Sequence, residues 1–272
     1  MKLKPYFTLF TLLCFGFIFS QSTLSTKNPK PLLKINFDDN TNSKDFKAIV
    51  NLKNIEVAEG KGIDGSTGIK ARYVGFDKGS ERIVKNIRLP QSYKEATLNY
   101  AVAFDEDFQF PRGGKLHGLA PLKKITGGKP MQKDGWSARI CFKKNGVVTS
   151  YVYHQDLKGK YGEGKPSPSF YFKKGQYYQM AIYVKTNMPA SASNGEVIIY
   201  ANGKEISSYK GLQLRAVEGK DTEINNFLFS TFHGGNSPDF APKDSNGNFT
   251  TVYAWFDNFE VYEGLYVVER KN

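Results

Sequence analysis

The chain has 272 residues, with 38 Lys and Arg against 26 Asp and Glu, which gives a formal net charge of +12. Such an excess favours anionic partners, although a charge of this sign can also serve only to keep an exported protein soluble. The export signal described next and the lack of a dense Arg and Lys stripe argue against nucleic acid. We therefore expect an acidic polysaccharide as the partner.

An apolar run at residues 7–19 follows the basic start at residues 1–4, and polar residues begin at Ser20. The run is too short and too early for a membrane span. It predicts a secretory signal peptide over residues 1–22, and hence a secreted or periplasmic protein with no membrane association after cleavage. Cys14 lies in this run without the small residues that precede a lipidated cysteine.

Residues 23–272 have a length that suits a single all-β domain, and neither a Pro-rich or Ser-rich linker nor a fixed-period repeat divides them. Cys141 is the one cysteine left after signal cleavage, so an intrachain disulfide is impossible. An exported domain without a disulfide must rely on its hydrophobic core. We predict one β-jelly-roll domain over residues 23–272 that is a monomer.

The first predicted strand covers residues 33–37, and a loop-rich passage with four glycines follows at residues 60–68. Residues 96–104 alternate between apolar and polar and predict a second strand. Residues 108–128 are rich in Gly and Pro and predict an irregular segment that runs past a site. The core face of the second strand is predicted to hold Leu98, Tyr100, Val102 and Phe104.

Residues 136–154, WSARICFKKNGVVTSYVYH, predict two strands joined at Lys144-Asn145-Gly146. Alternate residues of a strand point to opposite faces. One face is mostly apolar and holds Trp136, Ala138, Ile140, Phe142, Val148, Ser150, Val152 and His154. The other face is polar and holds Ser137, Arg139, Cys141, Lys143, Val147, Thr149, Tyr151 and Tyr153.

The length of this turn decides which residues of the two strands meet. A two-residue turn would set Ile140 opposite Tyr151 and mix the two faces. A three-residue loop with Gly146 in the left-handed conformation sets Arg139 opposite Tyr151. Burial of one face should select this second register. We predict that it groups Ser137, Arg139, Tyr151 and Tyr153.

Five more strands are predicted at residues 177–185, 196–201, 204–209, 226–232 and 252–262, with a hairpin turn at Asn202-Gly203. No stretch shows a sustained helical period with caps at both ends. The strand spacing predicts an all-β fold, an antiparallel two-sheet β-sandwich of the jelly-roll type with a concave substrate-binding sheet. In the first of these strands, Tyr178, Met180, Ile182 and Val184 form the predicted core face, and Gln179 and Tyr183 on the opposite face are predicted to bind substrate.

Three familiar kinds of site are absent from the sequence, namely a nucleophile elbow, a phosphate-binding loop and a Cys/His zinc pattern. His154 is on the core face of its strand and is predicted to be a hydrogen-bonded structural histidine. His233 precedes two glycines and is predicted to line the cleft. We predict no metal and no cofactor. A calcium ion between the sheets, near the two chain ends, is the alternative, with Asp38, Asp39, Asp257 and Asn258 as its ligands.

The polar face of the hairpin, together with Lys115 on the Gly-rich segment, suits β-elimination of a uronic-acid polymer. In this reaction the C5 proton is removed while the glycosidic oxygen leaves C4, and a cation against the carboxylate stabilises the enolate-like state. A Tyr or a Lys can act as the base where neighbouring cations favour its deprotonated form. Paired tyrosines also serve as packing or sugar-stacking residues, so the pattern alone does not separate a lyase cleft from a sugar-binding groove.

Five segments, in this order, resemble the family-14 polysaccharide lyases, which are secreted or virion-borne enzymes that cleave alginate or related polyuronates. They are GGKLHGLAP at 113–121, GWSARICF at 135–142, SYVYH at 150–154, STFHGG at 230–235 and FDNFEVY at 256–262. The resemblance implies a β-jelly roll with its site on a concave sheet and no obligatory metal.

The same resemblance implies five catalytic residues: the family's essential lysine at Lys115, its serine and arginine at Ser137 and Arg139, and its paired tyrosines at Tyr151 and Tyr153. Two positions depart from the family pattern. His117 stands in place of a proline and His233 in place of an aromatic residue, and both are predicted to contact substrate.

The expected function is that of a secreted lyase that cleaves alginate by β-elimination. A non-catalytic carbohydrate-binding jelly roll for acidic glycans and a lyase that acts on glucuronan stay open as alternatives. Which of Lys115, Tyr151 and Tyr153 is the base and which is the acid also stays open.

Overall fold

The structure is a computed structural model that describes residues 29–38 and 43–269. The predicted signal peptide and Asp39 lie outside these residues. Among the residues described, no helix has the length and apolar character needed to cross a membrane.

The described chain contains fifteen strands. They are β1 (Leu33–Ile35), β2 (Ile55–Ala58), β3 (Gly68–Phe76), β4 (Gly79–Ser80), β5 (Ile83–Tyr93), β6 (Glu95–Phe104), β7 (Gly113–Ala120), β8 (Ser137–Lys143), β9 (Val147–Tyr153), β10 (Pro166–Tyr171), β11 (Tyr177–Lys185), β12 (Gly195–Ala201), β13 (Lys204–Leu212), β14 (Ile224–His233) and β15 (Thr251–Glu263). The helix α1 covers Lys44–Val50, and short 3-10 turns cover Ile63–Gly65, Lys144–Gly146, Lys220–Thr222 and Pro238–Phe240.

The strands form two antiparallel sheets, which confirms the predicted two-sheet sandwich. The six-stranded sheet has the order β10-β9-β8-β7-β14-β5. The nine-stranded sheet has the order β13-β12-β11-β6-β15-β3-β2, with β1 also paired to β15 and β4 to β3. Strands that are distant in sequence lie side by side in both sheets, so the fold depends on non-local pairing.

The apolar faces of the two sheets meet in an aromatic-rich core. The predicted core faces of β6, β8 and β11 are buried there, as Tyr100, Phe142 and Met180 illustrate. Phe104 lies 4.6 Å from Phe108, ring centroid to centroid, in the same cluster. Because interiors of this kind pack as densely as crystals, the core gives the outer face of the six-stranded sheet a rigid backing.

The β8–β9 hairpin has the predicted register. Ser137 pairs with Tyr153 and Arg139 pairs with Tyr151. The connecting loop is the three residues Lys144–Gly146, and Gly146 has a φ of 77°. Burial of the apolar face and the three-residue loop therefore select the same pairing, as the sequence predicted.

The prediction of an irregular segment at residues 108–128 is wrong, because this stretch contains β7 within the six-stranded sheet. Its glycines mark close contacts with neighbouring strands rather than a loop. A Cβ at Gly118 would lie 2.0 Å from the carbonyl oxygen of Ala138, and one at Gly114 would lie 2.1 Å from Cζ of Phe142. Glycine inside a strand often has this meaning.

The helix α1 and the strands β2, β3, β4, β5 and β10 were also not predicted. α1 has 7 residues, and Ser43 caps it by accepting a hydrogen bond from the backbone N–H of Phe46. A helix this short buries only Phe46 and Ile49, so it leaves no sustained helical period in the sequence.

Candidate active site

A cleft with a volume of about 730 Å³ lies on the outer face of the six-stranded sheet. Side chains from β5, β7, β8, β9 and β14 form its floor. One wall comes from residues 124–127 and 161–162, and the other from residues 234–236 and Phe240. The sheet therefore presents a groove between two loop walls, as expected for a site that holds a polymer.

The charge of this cleft is uniformly positive. Six cationic side chains line it, and no Asp or Glu is found among the described residues of its lining. Clefts lined by one sign of charge concentrate ligands of the opposite sign. The six cations are Lys78, Arg82, Lys115, Lys124, Arg139 and Lys143.

Arg139 lies in the floor of the cleft with 5% of its surface exposed. Its side chain passes over Gly118, where a Cβ would lie 2.7 Å from Cγ of Arg139. Nη1 donates a hydrogen bond to Oγ of Ser230 at 3.5 Å, and Nε has no hydrogen-bond partner. Among the described residues no carboxylate forms an ion pair with Arg139. A buried cation in this state is costly unless a ligand supplies the negative charge.

Lys115 lies beside Arg139 on the same face. Its strand register pairs it with Cys141, and its Nζ lies 3.8 Å from the ring centroid of Tyr151. Burial lowers the pKa of Lys115; Cys141 opposes this shift, and the cations of Arg139 and Lys143 add to it. A lysine in these surroundings loses its proton more readily than one in water.

Tyr151 completes the group that lines the cleft, with its ring centroid 5.5 Å from Cζ of Arg139. Burial raises the pKa of Tyr151 well above its ordinary value, the neighbouring Tyr153 raises it further, and Arg139 opposes the shift. The phenol of Tyr151 is therefore protonated at neutral pH. Lys115 and Tyr151 thus have opposite tendencies, the first to release a proton and the second to keep one.

Ser137 and Tyr153 lie on the same sheet face but do not line the cleft. Both are fully buried beneath residues 125–128. Oγ of Ser137 donates a hydrogen bond to the carbonyl of Ile125 at 2.6 Å, and the phenol of Tyr153 accepts one from the backbone N–H of Gly128 at 2.8 Å. In this structure the predicted quartet is adjacent, but only Arg139 and Tyr151 reach the cleft.

Gln179 and Tyr183, predicted to bind substrate, lie elsewhere. Both are on β11 of the nine-stranded sheet, on the face turned away from the core, and therefore on the opposite side of the sandwich from the cleft. The phenol of Tyr183 donates to a carboxylate oxygen of Glu95. The predicted alternation of β11 is right, but alternation does not reveal to which sheet a strand belongs.

His117 and His233 are also outside the cleft, contrary to the prediction. Both have 0% of their surface exposed. His117 follows Lys115 by two residues and would share its face in a regular strand, but the pairing of β7 shifts register between Lys115 and Gly118. His233 packs in the core with its ring 5.1 Å from that of Phe108. Its Nε2–H donates to the carbonyl of Gln109 at 2.7 Å.

His154 has the predicted structural role. It is buried, and its Nε2 lies 2.9 Å from a carboxylate oxygen of Glu163. The phenol of Tyr209 donates to the same oxygen at 2.9 Å. The cluster ties Glu163 to β9, and the neighbouring Gly162 belongs to the cleft wall.

Several cleft residues were not predicted from the sequence. Nζ of Lys124 donates to Oδ1 of Asn86 at 2.6 Å, and the guanidinium of Arg82 lies 4.5 Å from the ring centroid of Phe232. Tyr161 lines the wall with 49% of its surface exposed. These residues lie on β5, which was not predicted, and on loops. Only their basic or aromatic side chains could have pointed to a polysaccharide cleft from the sequence.

Asp257, a candidate calcium ligand from the sequence, stabilises a turn. Its Oδ2 accepts hydrogen bonds from the backbone N–H of Ile63 at 3.2 Å and from Oγ of Ser66 at 2.7 Å. Within the described ranges, no group of three His, Cys, Asp or Glu residues is arranged to hold a metal ion.

Two antiparallel sheets with a cationic cleft on one outer face define a β-sandwich protein whose cleft suits an anionic ligand. The family model for polysaccharide lyase 14 matches residues 74–259, which is more than half of the chain. The chain therefore belongs to polysaccharide lyase family 14. No curated protein sequence matches it.

Solved structures of polysaccharide lyases share this fold. A mutant of the alginate lyase Aly36B in complex with alginate tetrasaccharide has a TM-score of 0.67 and 23% identity, and the match covers 88% of this chain and 98% of the other. The alginate lyase of Aplysia kurodai has a TM-score of 0.66 at 19% identity, over 86% of this chain and 100% of the other. The endo-β-1,4-glucuronan lyase of Trichoderma reesei has a TM-score of 0.55 at 15% identity, over 78% and 90%.

Proposed function

We propose that this protein is a secreted lyase that cleaves a uronic-acid polymer, alginate first among the candidates, by β-elimination. The observation that carries the proposal is the convergence of Lys115 and Tyr151 on a buried Arg139 that has no acidic partner. The alginate and glucuronan lyases of the same fold support the class of substrate. The predicted signal peptide supports export, and sequencing the N-terminus of the mature protein tests it.

Arg139 is proposed to bind the carboxylate on C5. The ion pair would satisfy the buried guanidinium, including the unpartnered Nε. As the C5 proton leaves, negative charge spreads onto the carboxylate, and a fixed cation at that point stabilises the transition state more than the ground state. Removing the cation should therefore lower kcat as well as weaken binding.

Lys115 is proposed as the base and Tyr151 as the acid, because their pKa values are displaced in the directions that these roles require. The neutral amine of Lys115 takes the C5 proton. The electron pair of that C–H bond forms the C4=C5 double bond as the bond from C4 to the glycosidic oxygen breaks. The phenol of Tyr151 gives its proton to the leaving oxygen, which stays on C1 of the neighbouring sugar, so the products are an unsaturated non-reducing end and a new reducing end.

Three variants test these roles. Lys115→Ala and Tyr151→Phe should each lower kcat at least a hundredfold while the polymer is still retained, and Arg139→Lys should raise KM and lower kcat together. Formation of unsaturated ends is followed by ultraviolet absorbance, and polymer retention by affinity electrophoresis. Full activity in Lys115→Ala would reject the assignment of the base. Polymer binding without cleavage by the wild type would favour the binding-module alternative.

A further inference from the structure

The six-stranded sheet is irregular at the level of the cleft floor. Gly118 of β7 pairs with Arg139 of β8, and Lys115 pairs with Cys141, so three steps along β7 match two steps along β8. On the other side of β7, the same two residues pair with Leu228 and Phe232, so the same stretch takes four steps along β14. An extra residue in a strand forms a β-bulge and re-aims the side chains around it. Here Leu116 and His117 both turn into the core.

Where the pairing of β7 with β14 is irregular, a backbone N–H of β14 donates its hydrogen bond to the imidazole of His117 instead of to a backbone carbonyl. Its Nδ1 accepts a hydrogen bond from the backbone N–H of Ser230 at 3.1 Å. The acceptor nitrogen carries no proton, so the proton of the neutral ring is on Nε2. Burial lowers the pKa of His117 well below its ordinary value, which keeps the ring in this neutral form.

Aromatic rings hold the imidazole in place. The ring centroid of His117 lies 4.6 Å from that of Phe229, 4.7 Å from that of Tyr100 and 4.8 Å from that of Phe256. A ring packed on so many sides has one available orientation. The position of Nδ1 is therefore fixed from the core side of the sheet.

Ser230, which donates this hydrogen bond, and Gly118, which follows His117, both contact Arg139. Oγ of Ser230 accepts the hydrogen bond from Nη1, and Gly118, which follows His117 in the chain, provides the space for the side chain of Arg139. Ser230 also lines the cleft. A shift of the β14 backbone at Ser230 would therefore move the guanidinium that is proposed to meet the carboxylate.

We propose that His117 is a positioning residue that acts through Ser230 to hold Arg139 in the orientation that receives the substrate carboxylate. This role rests on the proposed function of Arg139. It differs from the expected contact with substrate, since His117 lies on the core side of the sheet.

An isosteric pair of variants tests the proposal. His117→Asn places an oxygen near the position of Nδ1 and keeps the acceptor, whereas His117→Leu has the same shape and lacks it. We expect kcat/KM of His117→Asn to stay within threefold of the wild type, and that of His117→Leu to fall at least tenfold. Both are assayed well below their Tm, with the folded fraction measured by circular dichroism. Equal kcat/KM in the two variants overturns the proposal.

A double-mutant cycle with Ser230→Ala separates positioning from general loosening of the core. If His117 acts through Ser230, the effects of His117→Leu and Ser230→Ala on kcat/KM are strongly non-additive. Additive effects overturn the proposal. Affinity for a uronate oligosaccharide is measured by calorimetry for the same proteins, and the Leu variant should bind more weakly than the Asn variant. If the wild type neither cleaves nor binds any polyuronate, the proposed function fails and this inference fails with it. If the wild type cleaves a polyuronate but His117→Asn and His117→Leu have equal kcat/KM, this inference alone fails.

Discussion

Arg139 shows how a residue can lower stability and serve the reaction. Its guanidinium is buried, one donor lacks a partner, and no described carboxylate pairs with it. Burial of an uncompensated charge costs folding free energy, and active sites commonly retain such strain because the ligand relieves it. When the substrate carboxylate pairs with Arg139, this cost is relieved, and the relief contributes to the free energy of substrate binding.

The first prediction concerns this cost. Arg139→Met should raise the free energy of unfolding by about 1–2 kcal/mol and lower kcat/KM at least a hundredfold, because the apolar side chain fills similar space without a charge. Urea denaturation and steady-state kinetics measure the two effects. Arg139→Lys is the matched control and should not be stabilised. A destabilised Met variant would show that the guanidinium is satisfied within the protein.

The second prediction concerns the pH dependence of kcat/KM. Since the neutral amine of Lys115 is the proposed base, kcat/KM should rise with pH through a pKa below the lysine value of about 10.4. Lys143 is one of the cations that lower this pKa, so Lys143→Met should move the rise to higher pH. A profile that does not change in Lys143→Met, or a rise that persists in Lys115→Ala, would assign the titration to another group.

The third prediction concerns acid stability. Burial lowers the pKa of His233 from 6.5 to about 4, so at intermediate pH the unfolded chain binds more protons than the folded one. This stability contribution is complete above pH 6.5 and is lost as the pH falls through about 4, by up to about 3 kcal/mol. His233→Gln keeps a donor for Gln109 and cannot titrate, so its free energy of unfolding should fall less steeply across this window. An unchanged slope contradicts the account.

At the scale of single elements, β7 determines the shape of the site. It carries Lys115 on the cleft face, and its bulge turns His117 to the core side. Gly118 has no side chain and so leaves room for the side chain of Arg139. The strand is thus both the floor of the cleft and the link between cleft and core.

The fourth prediction concerns the room that Gly118 leaves. Gly118→Ala should destabilise the protein by about 2 kcal/mol or more, because the added Cβ would lie 2.0 Å from the carbonyl oxygen of Ala138 and 2.7 Å from Cγ of Arg139. Neither the backbone nor the packed side chain can move away cheaply, so kcat/KM of the folded fraction should also fall. Gly159→Ala, where the nearest atom to the added Cβ is the carbonyl oxygen of Tyr161 at 3.9 Å, is the comparison for steric crowding. Equal stability and activity of the Gly118 and Gly159 variants would argue against this crowding.

The β8–β9 hairpin was predictable because two independent signals agreed. Side-chain alternation sorted its faces, and the glycine of the loop set its register. β7 was not predictable in the same way, since glycines that permit close packing look like loop glycines in a sequence. The bulge in β7 then reversed the face of His117, which a strict period of two could not show.

The candidate site was predictable in its centre and not at its edges. Lys115, Arg139 and Tyr151 come together as predicted from the hairpin and the family resemblance. Lys124 and Tyr161 reach the cleft from loops whose positions depend on tertiary contacts. Gln179 has the predicted orientation on β11, but non-local pairing places that strand in the other sheet. Local patterns carry no information about such pairing.

At the scale of the whole molecule, the sandwich presents the proposed base and acid from one side. Lys115 and Tyr151 both rise from the floor of the six-stranded sheet, with the amine 3.8 Å from the phenol ring. A base and an acid on one side of the sugar suit syn elimination. In mannuronate and glucuronate residues the C5 hydrogen and the C4 oxygen are syn, whereas in guluronate they are anti. The fifth prediction is therefore a preference for polymannuronate or glucuronan over polyguluronate.

The most direct test of the account is to incubate the wild-type protein and Lys115→Ala separately with polymannuronate, glucuronan and polyguluronate, and to follow unsaturated chain ends by ultraviolet absorbance and mass spectrometry. We expect unsaturated products from polymannuronate or glucuronan with the wild type, slower formation or none from polyguluronate, and none with Lys115→Ala. Absence of unsaturated products from all three polymers with the folded wild-type protein would contradict it.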